Sequence, residues 1–485
     1  LHAPGRSSFK VPHAPAGALD GVPAEHLRST PLALPEIDEP TVVHHFVRLS
    51  HLNYSVDSGL YPLGSCTMKY NPKINEAAAR LPGFANLHPL APDTLAQGTL
   101  ELMWQLQQQL GEIGGFPAVS LQPAAGAHGE LTGILVIRAY HLARGDIERD
   151  EVIVPDSSHG TNPATASMAG YKPVTIKSTD DGLVDIEALR EALGPRTAAV
   201  MLTNPSTLGL FEQDVVELLE AVHAAGALAY MDGANMNAVL GHFQPGAAGF
   251  DVMHFNLHKT FSTPHGGGGP GAGPIAVAEH LVPYLPQPLV VLEDDGTFRL
   301  ERAGERPESV GRMRAYQGST GVLVRAWAYI RAHGGSGLRE VSEDAVLAAN
   351  YLRARVGVAY DLPVEGPCKH EFVASAASIK AETGVRTFDI AKRLIDHGYH
   401  PPTIYFPLIV EECLLIEPTE TESLETLDAF ADALIAVARE AHEDPELLTS
   451  APHDTPVRRL DETTAARKPD LHWRPMTGSE NPCPS

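Results

Sequence analysis

Three polar side chains that could do chemistry come at or just after the ends of predicted β-strands. Lys259 comes just after the segment DVMHFNL, Asp232 follows ALAYM 27 residues earlier, and His159 lies four residues beyond EVIVP. The carboxyl ends of parallel strands meet along one edge of an open α/β sheet, and ligands bind at that edge. We therefore expect these three side chains to line one site.

A lysine and an aspartate at neighbouring strand ends are what pyridoxal phosphate chemistry requires. The lysine amine bonds to the aldehyde of the cofactor, and a buried carboxylate keeps the pyridine nitrogen protonated, so that the ring accepts electrons. Lys259 and Asp232 fit these two roles, and the ring of His159 can stack on the pyridine. Each residue also has a simpler interpretation: a solvated lysine, an aspartate that caps a turn, and a histidine that caps a helix or lies in the core.

The phosphate of such a cofactor needs hydrogen-bond donors, and the segment PAAGAHGELTG (123–133) can supply them. It joins a predicted strand to a helix start, where the N–H groups of Gly126 and Ala127 can point at an anion and the helix dipole adds about half a positive charge. His258, next to Lys259, offers a further contact. The segment matches neither the Walker pattern nor the dinucleotide fingerprint.

The residues around the lysine suggest a ligand other than a metal ion. The glycine-rich run GGGGPGAG (266–273) indicates that the backbone approaches a ligand or another chain. His254 and His258 are four residues apart, but HFNLH has the pattern of a strand, in which this offset separates side chains by about 13 Å. With no CxxC or HExxH pattern present, we predict no metal site.

Strand and helix patterns alternate through the middle of the chain, which predicts βαβ units and a mostly parallel sheet. The predicted strands are 119–122, 151–155, 174–177, 198–203, 227–231 and 251–257. The predicted helices are 100–113, 130–143, 184–193 and 214–226. A later region has helices at 341–355, 388–397 and 424–441 and strands at 371–378 and 413–418, which is typical of a small α+β unit.

The predicted fold class is therefore α/β with an additional small domain. We expect an irregular, proline-rich arm over 1–95, a large cofactor-binding α/β domain over 96–330, a small α+β domain over 331–442 and an extended tail over 443–485. A chain of 485 residues is long enough for this arrangement.

Charge and cysteine content narrow the partners and the compartment. The net charge of −24 argues against nucleic acid and anionic membranes as partners. The four cysteines are scattered and fit a reducing cytosol. With no signal-peptide pattern and no long apolar run, we expect a cytoplasmic protein without a membrane span.

Several long motifs resemble the glycine-cleavage P-proteins, the decarboxylating glycine dehydrogenases. They span nearly the whole chain and are YPLGSCTMKYNPK (61–73), SSHGTNPATASMAGY (157–171), TNPSTLGLFE (203–212), MDGANMNAV (231–239), NLHKTFSTPHGGGGPGAGPIAV (256–277) and IEPTETES (416–423). The length resembles the second chain of the family's split form. Two departures are His128, where the family usually has Gln, and AYQGS (315–319), where it usually has AFYGN.

The resemblance implies a fold-type-I pyridoxal-phosphate enzyme in which Lys259 holds the cofactor, Asp232 is the pyridinium partner and His159 is the stacking residue. It also implies the activity: glycine loses CO2, and its aminomethyl group passes to the lipoyl arm of the H-protein. The implied partners are glycine, the lipoylated H-protein and the first subunit, in a heterotetramer with two copies of each subunit.

Further positions have both functional and structural interpretations. Asn204 and Thr207 lie after a strand, where this fold places contacts to the ring and the substrate, but Asn-Pro-Ser is also an ordinary turn. Ser65, Cys66 and Thr67 are either part of a buried loop or the point at which the N-terminal arm reaches the active site with its hydroxyl groups.

Another fold-type-I lyase or an aminotransferase stays open at this stage, and a non-enzymatic class is disfavoured. An aminotransferase would need an arginine for the substrate carboxylate, and Arg312, Arg314 and Arg325 are available. A non-catalytic scaffold subunit would have no use for the combination of Lys259 and Asp232.

Overall fold

The computed structural model describes residues 5, 15–30, 35–265 and 271–471. The chain divides into two compact units, one formed by 1–58 with 452–485 and the other by 59–451. The α-helices are α1 Glu39–His51, α2 Lys73–Ala79, α3 Pro82–Ala85, α4 Gln97–Gly114, α5 Gly126–Ala143, α6 Thr161–Met168, α7 Ile186–Ala192, α8 Val215–Ala224, α9 Pro245–Ala248, α10 Leu257–Thr260, α11 Thr320–Val356, α12 Ala377–Thr383, α13 Thr387–Asp396, α14 Leu424–Glu443, α15 Pro445–Thr449 and α16 Glu462–Arg467. Among the described residues, no helix has the length and apolar character needed to cross a bilayer.

A seven-stranded sheet forms the centre of the larger unit. Its strands are β1 Ala118–Ser120, β2 Glu151–Pro155, β3 Lys172–Ile176, β4 Thr197–Thr203, β5 Leu228–Gly233, β6 Val252–Phe255 and β7 Ile275–Val277. Their order is β1-β7-β6-β5-β4-β2-β3, and β7 runs antiparallel to both of its neighbours while β2 to β6 pair in parallel. The predicted mostly parallel α/β sheet is confirmed.

The sheet is covered on both faces, because alternate residues of its strands belong to different cores. Ile153, Val200 and Met231 pack in one hydrophobic cluster, which includes residues of α4 and α8. Val152 and Met201 pack in another, which includes residues of α5. Successive side chains of a strand point to opposite faces, so the continuous apolar runs of β4 and β5 fit a sheet between two helical layers.

Helix α5 approaches the sheet closely because glycines face it. A Cβ atom on Gly133 would lie 2.4 Å from the Tyr230 ring, and one on Gly129 would lie 2.9 Å from Cβ of His254. Any larger side chain would push the helix away from β5 and β6. This contact places the N-terminus of α5 beside the carboxyl ends of those strands.

The C-terminal part of the larger unit has its own antiparallel sheet and its own core. Its strands are β10 Phe372–Ser375, β11 Thr403–Ile404 and β12 Cys413–Ile416, in the order β10-β12-β11. Residues of α13, α14 and the end of α11 pack in this core. A two-stranded ribbon, β8 Val290–Leu292 with β9 Phe298–Leu300, lies between the two sheets in sequence.

Helix α11 is longer than the predicted helix 341–355. Gly334 interrupts it with φ 62° and ψ −175°, so that two helical segments meet at a kink. The glycine pair Gly334-Gly335 has the composition of a helix end, and the sequence pattern did not indicate that a helix continues on both sides. The division of the chain at 96, 331 and 443 stays a prediction.

Candidate active site

A cavity of about 250 Å³ opens at the carboxyl end of the parallel sheet. It is lined by residues at or just after the ends of β2, β4, β5 and β6, by the start of α5 and by two residues of the N-terminal part: Ser65, Cys66, Gly126, Ala127, Glu130, His159, Thr161, Thr203, Thr207, Asp232, Ala234, Asn235, His254, Asn256, His258, Lys259 and His265. Larger surface grooves of about 530 and 640 Å³ lie near Leu338 and Val346, but no predicted site residue lines them. Seven of the eight predicted site residues line the smaller cavity.

Lys259 lies in α10, the single helical turn that follows β6. Its side chain is largely buried, and Nζ donates a hydrogen bond to the carbonyl oxygen of Ser65 at 2.8 Å. The amine is therefore held at the cavity wall. The strand ends at Phe255, so the extended spacing that we assumed for HFNLH was wrong.

Asp232 lies near the end of β5, paired in register with Thr203 of β4 and His254 of β6. Its carboxylate accepts hydrogen bonds from the Ala234 N–H at 3.0 Å and from Asn162 Nδ2 at 3.2 Å. Burial alone would raise the pKa of Asp232, but His254 and these donors hold it below its ordinary value. The site therefore contains a buried, ionised carboxylate.

His254 supports that carboxylate from the neighbouring strand. Its Nε2 lies 3.3 Å from Oδ1 of Asp232, and its Nδ1 lies 2.7 Å from the hydroxyl of Tyr230. An ionised carboxylate only accepts, so Nε2 carries the hydrogen and Nδ1 accepts from Tyr230. Burial lowers the pKa of His254, which keeps the ring neutral in this tautomer.

His159 contributes an imidazole ring to the cavity wall. Its Nδ1 lies 2.8 Å from Oγ1 of Thr161, and its ring contacts the edge of Phe406 at a centroid distance of 5.7 Å. Burial lowers the pKa of His159, so a neutral ring is favoured. A neutral ring in this position can stack on a flat ligand.

Glu130 is a second buried carboxyl group in the cavity, and the sequence reasoning did not assign it. It accepts hydrogen bonds from the hydroxyls of Thr161 at 2.9 Å and Thr165 at 3.3 Å. Burial, together with the charge of Asp232, raises its pKa to about 7. Glu130, Asp232 and His254 have ligand atoms within 4.8 Å of one another, but each already has hydrogen-bond partners in the protein, and the absence of a metal stays a prediction.

The N-terminus of α5 lies on one side of the cavity, where its N–H groups could bind an anion. The first N–H groups of a helix have no partner within the helix, and in α5 these include Gly126 and Ala127, both at the cavity wall. A Cβ atom on Gly126 would lie 2.4 Å from Oδ1 of Asn256. Only glycine fits this close approach.

The histidines near the start of α5 differ in their hydrogen bonds and in whether they line the cavity. His258 Nδ1 accepts from the Ala272 N–H at 3.4 Å, and burial lowers the pKa of His258 to about 3. It can therefore serve as a neutral donor through Nε2. His128, the departure from the family motif, does not line the cavity and accepts from the Ala124 N–H at 3.2 Å.

Of the two predicted turn residues, Thr207 and Asn204, one lines the cavity and the other does not. Thr207 lines the cavity and donates to the carbonyl oxygen of Ser157 at 2.9 Å. Asn204 does not line it: the side chain is completely buried, and its Oδ1 accepts from the Glu212 N–H at 3.1 Å. Asn204 organises the turn after β4 and does not reach the cavity, because its side chain points back to its own chain segment.

The chain is similar to known proteins over nearly its whole length. The chain is 57% identical to the probable glycine dehydrogenase (decarboxylating) subunit 2 of Halalkalibacterium halodurans, covering 98% of both chains. It is 59% identical to the protein of the same name from Exiguobacterium sibiricum, covering 94% of this chain and 92% of that one. The chain belongs to the glycine dehydrogenase (decarboxylating) subunit 2 family.

Family models and solved structures place the two parts of this fold. The model described as glycine dehydrogenase, C-terminal domain, matches 341–454, and the aminotransferase class-V model matches 134–268. A crystal structure of glycine decarboxylase (P-protein) in inhibitor-bound form superposes with a TM-score of 0.74 at 24% identity, covering 87% of this chain and 95% of that chain. A glutamate decarboxylase from Lactobacillus brevis superposes with a TM-score of 0.65 at 13% identity, covering 86% of this chain and 96% of that chain. The predicted fold-type-I class is confirmed.

The three arginines that kept the aminotransferase alternative open are not at the cavity of this glycine dehydrogenase family member. Arg325 forms a two-pronged ion pair with Glu76, at 2.7 and 2.8 Å. Arg312 donates to the Ala315 carbonyl, and Arg314 lies 3.2 Å from a serine hydroxyl. Within the described part of the chain, Lys259 is the one Lys or Arg side chain that lines the cavity.

The structure also shows which site residues sequence reasoning missed. His254 was considered only as a metal ligand, and its partner Asp232 is apparent only once β5 and β6 are paired in register. Glu130 lies within the quoted anion-binding segment and could have been found there. Ser65 lines the cavity, and its main-chain carbonyl group also contacts Lys259, a contribution that sequence reasoning did not consider.

Proposed function

We propose that this chain is the catalytic, pyridoxal-phosphate-binding half of a two-subunit glycine decarboxylase of the glycine cleavage system. It removes CO2 from glycine and passes the aminomethyl group to the lipoyl arm of the H-protein. The observation that carries the proposal is the joint placement of the Lys259 amine and the ionised Asp232 carboxylate on the wall of one cavity.

The residues of the cavity fit pyridoxal phosphate. The cofactor needs an amine, an acid partner for its ring nitrogen and donors for its phosphate, and Lys259, Asp232 and the start of α5 supply these groups. Two buried polar atoms at the cavity, Oδ1 of Asn256 and Nδ1 of His265, have no hydrogen-bond partner among the residues that the structure describes. A polar ligand would satisfy such atoms, which otherwise cost free energy.

When bound, the cofactor would supply an electron sink for the bonding pair that remains on glycine after CO2 leaves. The protein contributes the groups that keep this sink active. Asp232 stays ionised because His254 donates to it, so a proton on the ring nitrogen is stabilised. The neutral His159 ring would hold the plane of the cofactor ring, and the N–H groups of Gly126 and Ala127 would hold the phosphate without a net positive field.

A second proton-holding group is available next to Asp232. The pKa of Glu130, raised by burial to about 7, lets this carboxyl be neutral or charged near neutral pH. A neutral Glu130 avoids two adjacent buried charges. The absence of an arginine among the described cavity residues also suits a decarboxylase, whose departing carboxylate must not be held tightly.

The partners are part of the proposal. The relatives are named subunit 2, which supports a first subunit as partner, and we propose a heterotetramer with two copies of each subunit, acting in the cytoplasm. With a net charge of −24, the chain would dock the lipoylated H-protein through a local basic patch or through the first subunit. Neither nucleic acid nor membrane belongs to this function.

The exchange of labelled bicarbonate into the carboxyl group of glycine tests the proposal. The assay uses the purified chain with pyridoxal phosphate, the first subunit and the lipoylated H-protein. We expect exchange with the wild-type chain and none with Lys259→Ala, together with loss of the visible absorbance band of the lysine-bound cofactor. Amino transfer to a keto acid without bicarbonate exchange would refute the decarboxylase and favour an aminotransferase.

A further inference from the structure

A turn formed by Ser65, Cys66 and Thr67, called here the 65–67 turn, meets the Lys259 amine. The Ser65 carbonyl oxygen accepts the hydrogen bond from Nζ at 2.8 Å, and Ser65 and Cys66 line the cavity. No main-chain atom from another segment of the described chain makes this contact with Nζ. The position of the turn therefore determines where the free amine rests.

The backbone of this turn is in an unfavourable conformation. Ser65 has φ 61° and Thr67 has φ 44°, both in the left-handed region, which non-glycine residues seldom adopt and β-branched residues least of all. Such a conformation persists only where surrounding contacts over-determine it. The contacts that do so must come from outside the turn.

Two completely buried glutamates supply these contacts. Oε2 of Glu371 accepts from the Ser65 N–H at 2.6 Å, and Glu417 accepts from the Thr67 N–H at 3.0 Å and from its hydroxyl at 2.6 Å. Both side chains have an exposure of 0%. Each of the two strained residues is thus tied to a carboxyl group through its own main-chain N–H.

The C-terminal sheet brings these glutamates together. Phe372 of β10 pairs with Ile416 of β12, so Glu371 and Glu417 are neighbours just beyond the ends of the paired strands. His370 lies between them, with Nε2 at 3.7 and 3.9 Å from their carboxyl oxygens, and neither of its ring nitrogens has a hydrogen-bond partner in the described part of the chain. The position of the pair follows from the fold of the C-terminal part.

The cluster can hold the turn without a large buried charge. Burial raises the pKa of Glu371 well above its usual range, and it also raises that of Glu417. Burial lowers the pKa of His370 to about 3, so this ring is neutral. The mechanism proposed for the cavity uses none of these three residues.

We propose that Glu371 and Glu417 are positioning residues for Lys259. Through the 65–67 turn they fix the carbonyl group on which the free lysine amine rests. The hydrogen bond to the carbonyl oxygen restricts the position of the amine, so this contact limits how readily the amine reacts. The catalytic purpose of Lys259 rests on the proposed function, but the contacts that hold it do not.

The test is the chemical reactivity of Lys259 in the full-length, cofactor-free protein. Trinitrobenzenesulfonate reacts only with neutral amines, and peptide mass spectrometry follows the labelling of Lys259 and, as an internal reference, of the buried Lys69. The variants are Glu371→Ala, Glu371→Gln, which keeps one acceptor oxygen, and Thr67→Val, which removes the hydroxyl bound to Glu417. Pyridoxal phosphate uptake is measured separately on the same proteins.

Glu212→Gln is the matched control. Glu212 is also a buried glutamate that accepts a main-chain N–H, from Val184 at 3.1 Å, but it does not line the cavity. Its substitution tests whether the loss of any buried carboxyl group changes labelling. We expect Lys259 in this variant to react as it does in the wild type.

We expect Lys259 to react roughly tenfold faster in Glu371→Ala, the size of effect expected for a lost hydrogen bond to a charged group. Thr67→Val should show a smaller increase, and Glu371→Gln should stay near the wild type. Equal rates in all proteins, or parallel increases at Lys69 and in the control, would overturn the proposal. If Glu371→Ala does not fold, the labelling rate of Lys259 in Thr67→Val, compared with the rate in the wild type, decides the test. Failure to bind pyridoxal phosphate would refute only the proposed function, because the labelling uses cofactor-free protein.

Discussion

His254 Nε2 lies 3.3 Å from Oδ1 of Asp232, and the two residues face each other on neighbouring parallel strands. Their side chains are only 1% and 3% exposed. A carboxylate at this depth keeps its charge only where donors surround it. The pairing of β5 with β6 therefore maintains the negative charge that the proposed chemistry requires.

Removal of the Tyr230 hydroxyl should weaken this arrangement without disrupting the fold. In Tyr230→Phe, Nδ1 of His254 loses its donor, so the tautomer that serves Asp232 is no longer fixed. We expect the maximal rate of bicarbonate exchange to fall roughly tenfold, with the cofactor still bound. Tyr360→Phe is the control, because the Tyr360 hydroxyl is buried against the Leu434 carbonyl away from the cavity. An equal loss in both variants would contradict the role given to His254.

Asp232→Asn should separate catalysis from cofactor binding. An amide cannot stabilise a proton on the ring nitrogen, but it keeps the size of the side chain and most of its hydrogen bonds. Exchange should fall by about a hundredfold or more, while the dissociation constant for pyridoxal phosphate, measured by absorbance titration, changes far less. Equal losses of exchange activity and of affinity for pyridoxal phosphate would mean that Asp232 only helps to hold the cofactor.

The stability of the protein should depend on pH through Glu130. The folded-state pKa of Glu130, about 7, lies above that of an unfolded glutamate. The contribution of Glu130 to the free energy of unfolding is therefore complete below about pH 4 and is lost as the pH rises through 7. Glu130→Gln removes this titration. Its free energy of unfolding should exceed that of the wild type by ~1–3 kcal/mol at about pH 8, with no advantage near pH 4.

Urea unfolding at several pH values measures this difference. Glu212→Gln should show the same trend, since burial also raises the pKa of Glu212 to about 7. Only Glu130→Gln should change the pH dependence of cofactor binding, because Glu130 lines the cavity. A pH-independent difference between Glu130→Gln and wild type would show that the effect is one of packing.

Gly126→Ala should impair the anion site. The added Cβ would lie 2.4 Å from Oδ1 of Asn256, so either the buried Asn256 side chain or the start of α5 with its donors at Gly126 and Ala127 has to shift. We expect the dissociation constant for pyridoxal phosphate to rise at least tenfold, with a loss of stability of ~1–3 kcal/mol. Gly98→Ala in α4 is the matched control, since a Cβ there has open space. Equal affinity in the two variants would place the phosphate elsewhere.

The sequence by itself determined the large-scale architecture and the two central residues. Short apolar runs defined β2 and β4 to within a residue at each end, and similar runs placed Asp232 and Lys259 just after predicted strands. These features are local, because each depends on the period of one segment. The long motifs also predicted the family, and similar proteins with 57% and 59% identity confirm that prediction.

Only the tertiary structure decided which residues act together. His254 is the partner of Asp232 through strand pairing, and the Ser65 turn meets Lys259, which is 194 residues distant in sequence. Asn204 was predicted to line the site because it follows a strand, but its side chain points away from the cavity. Such contacts depend on the register between strands and on chain segments far apart in sequence, and the periodicity of a single segment carries no information about either.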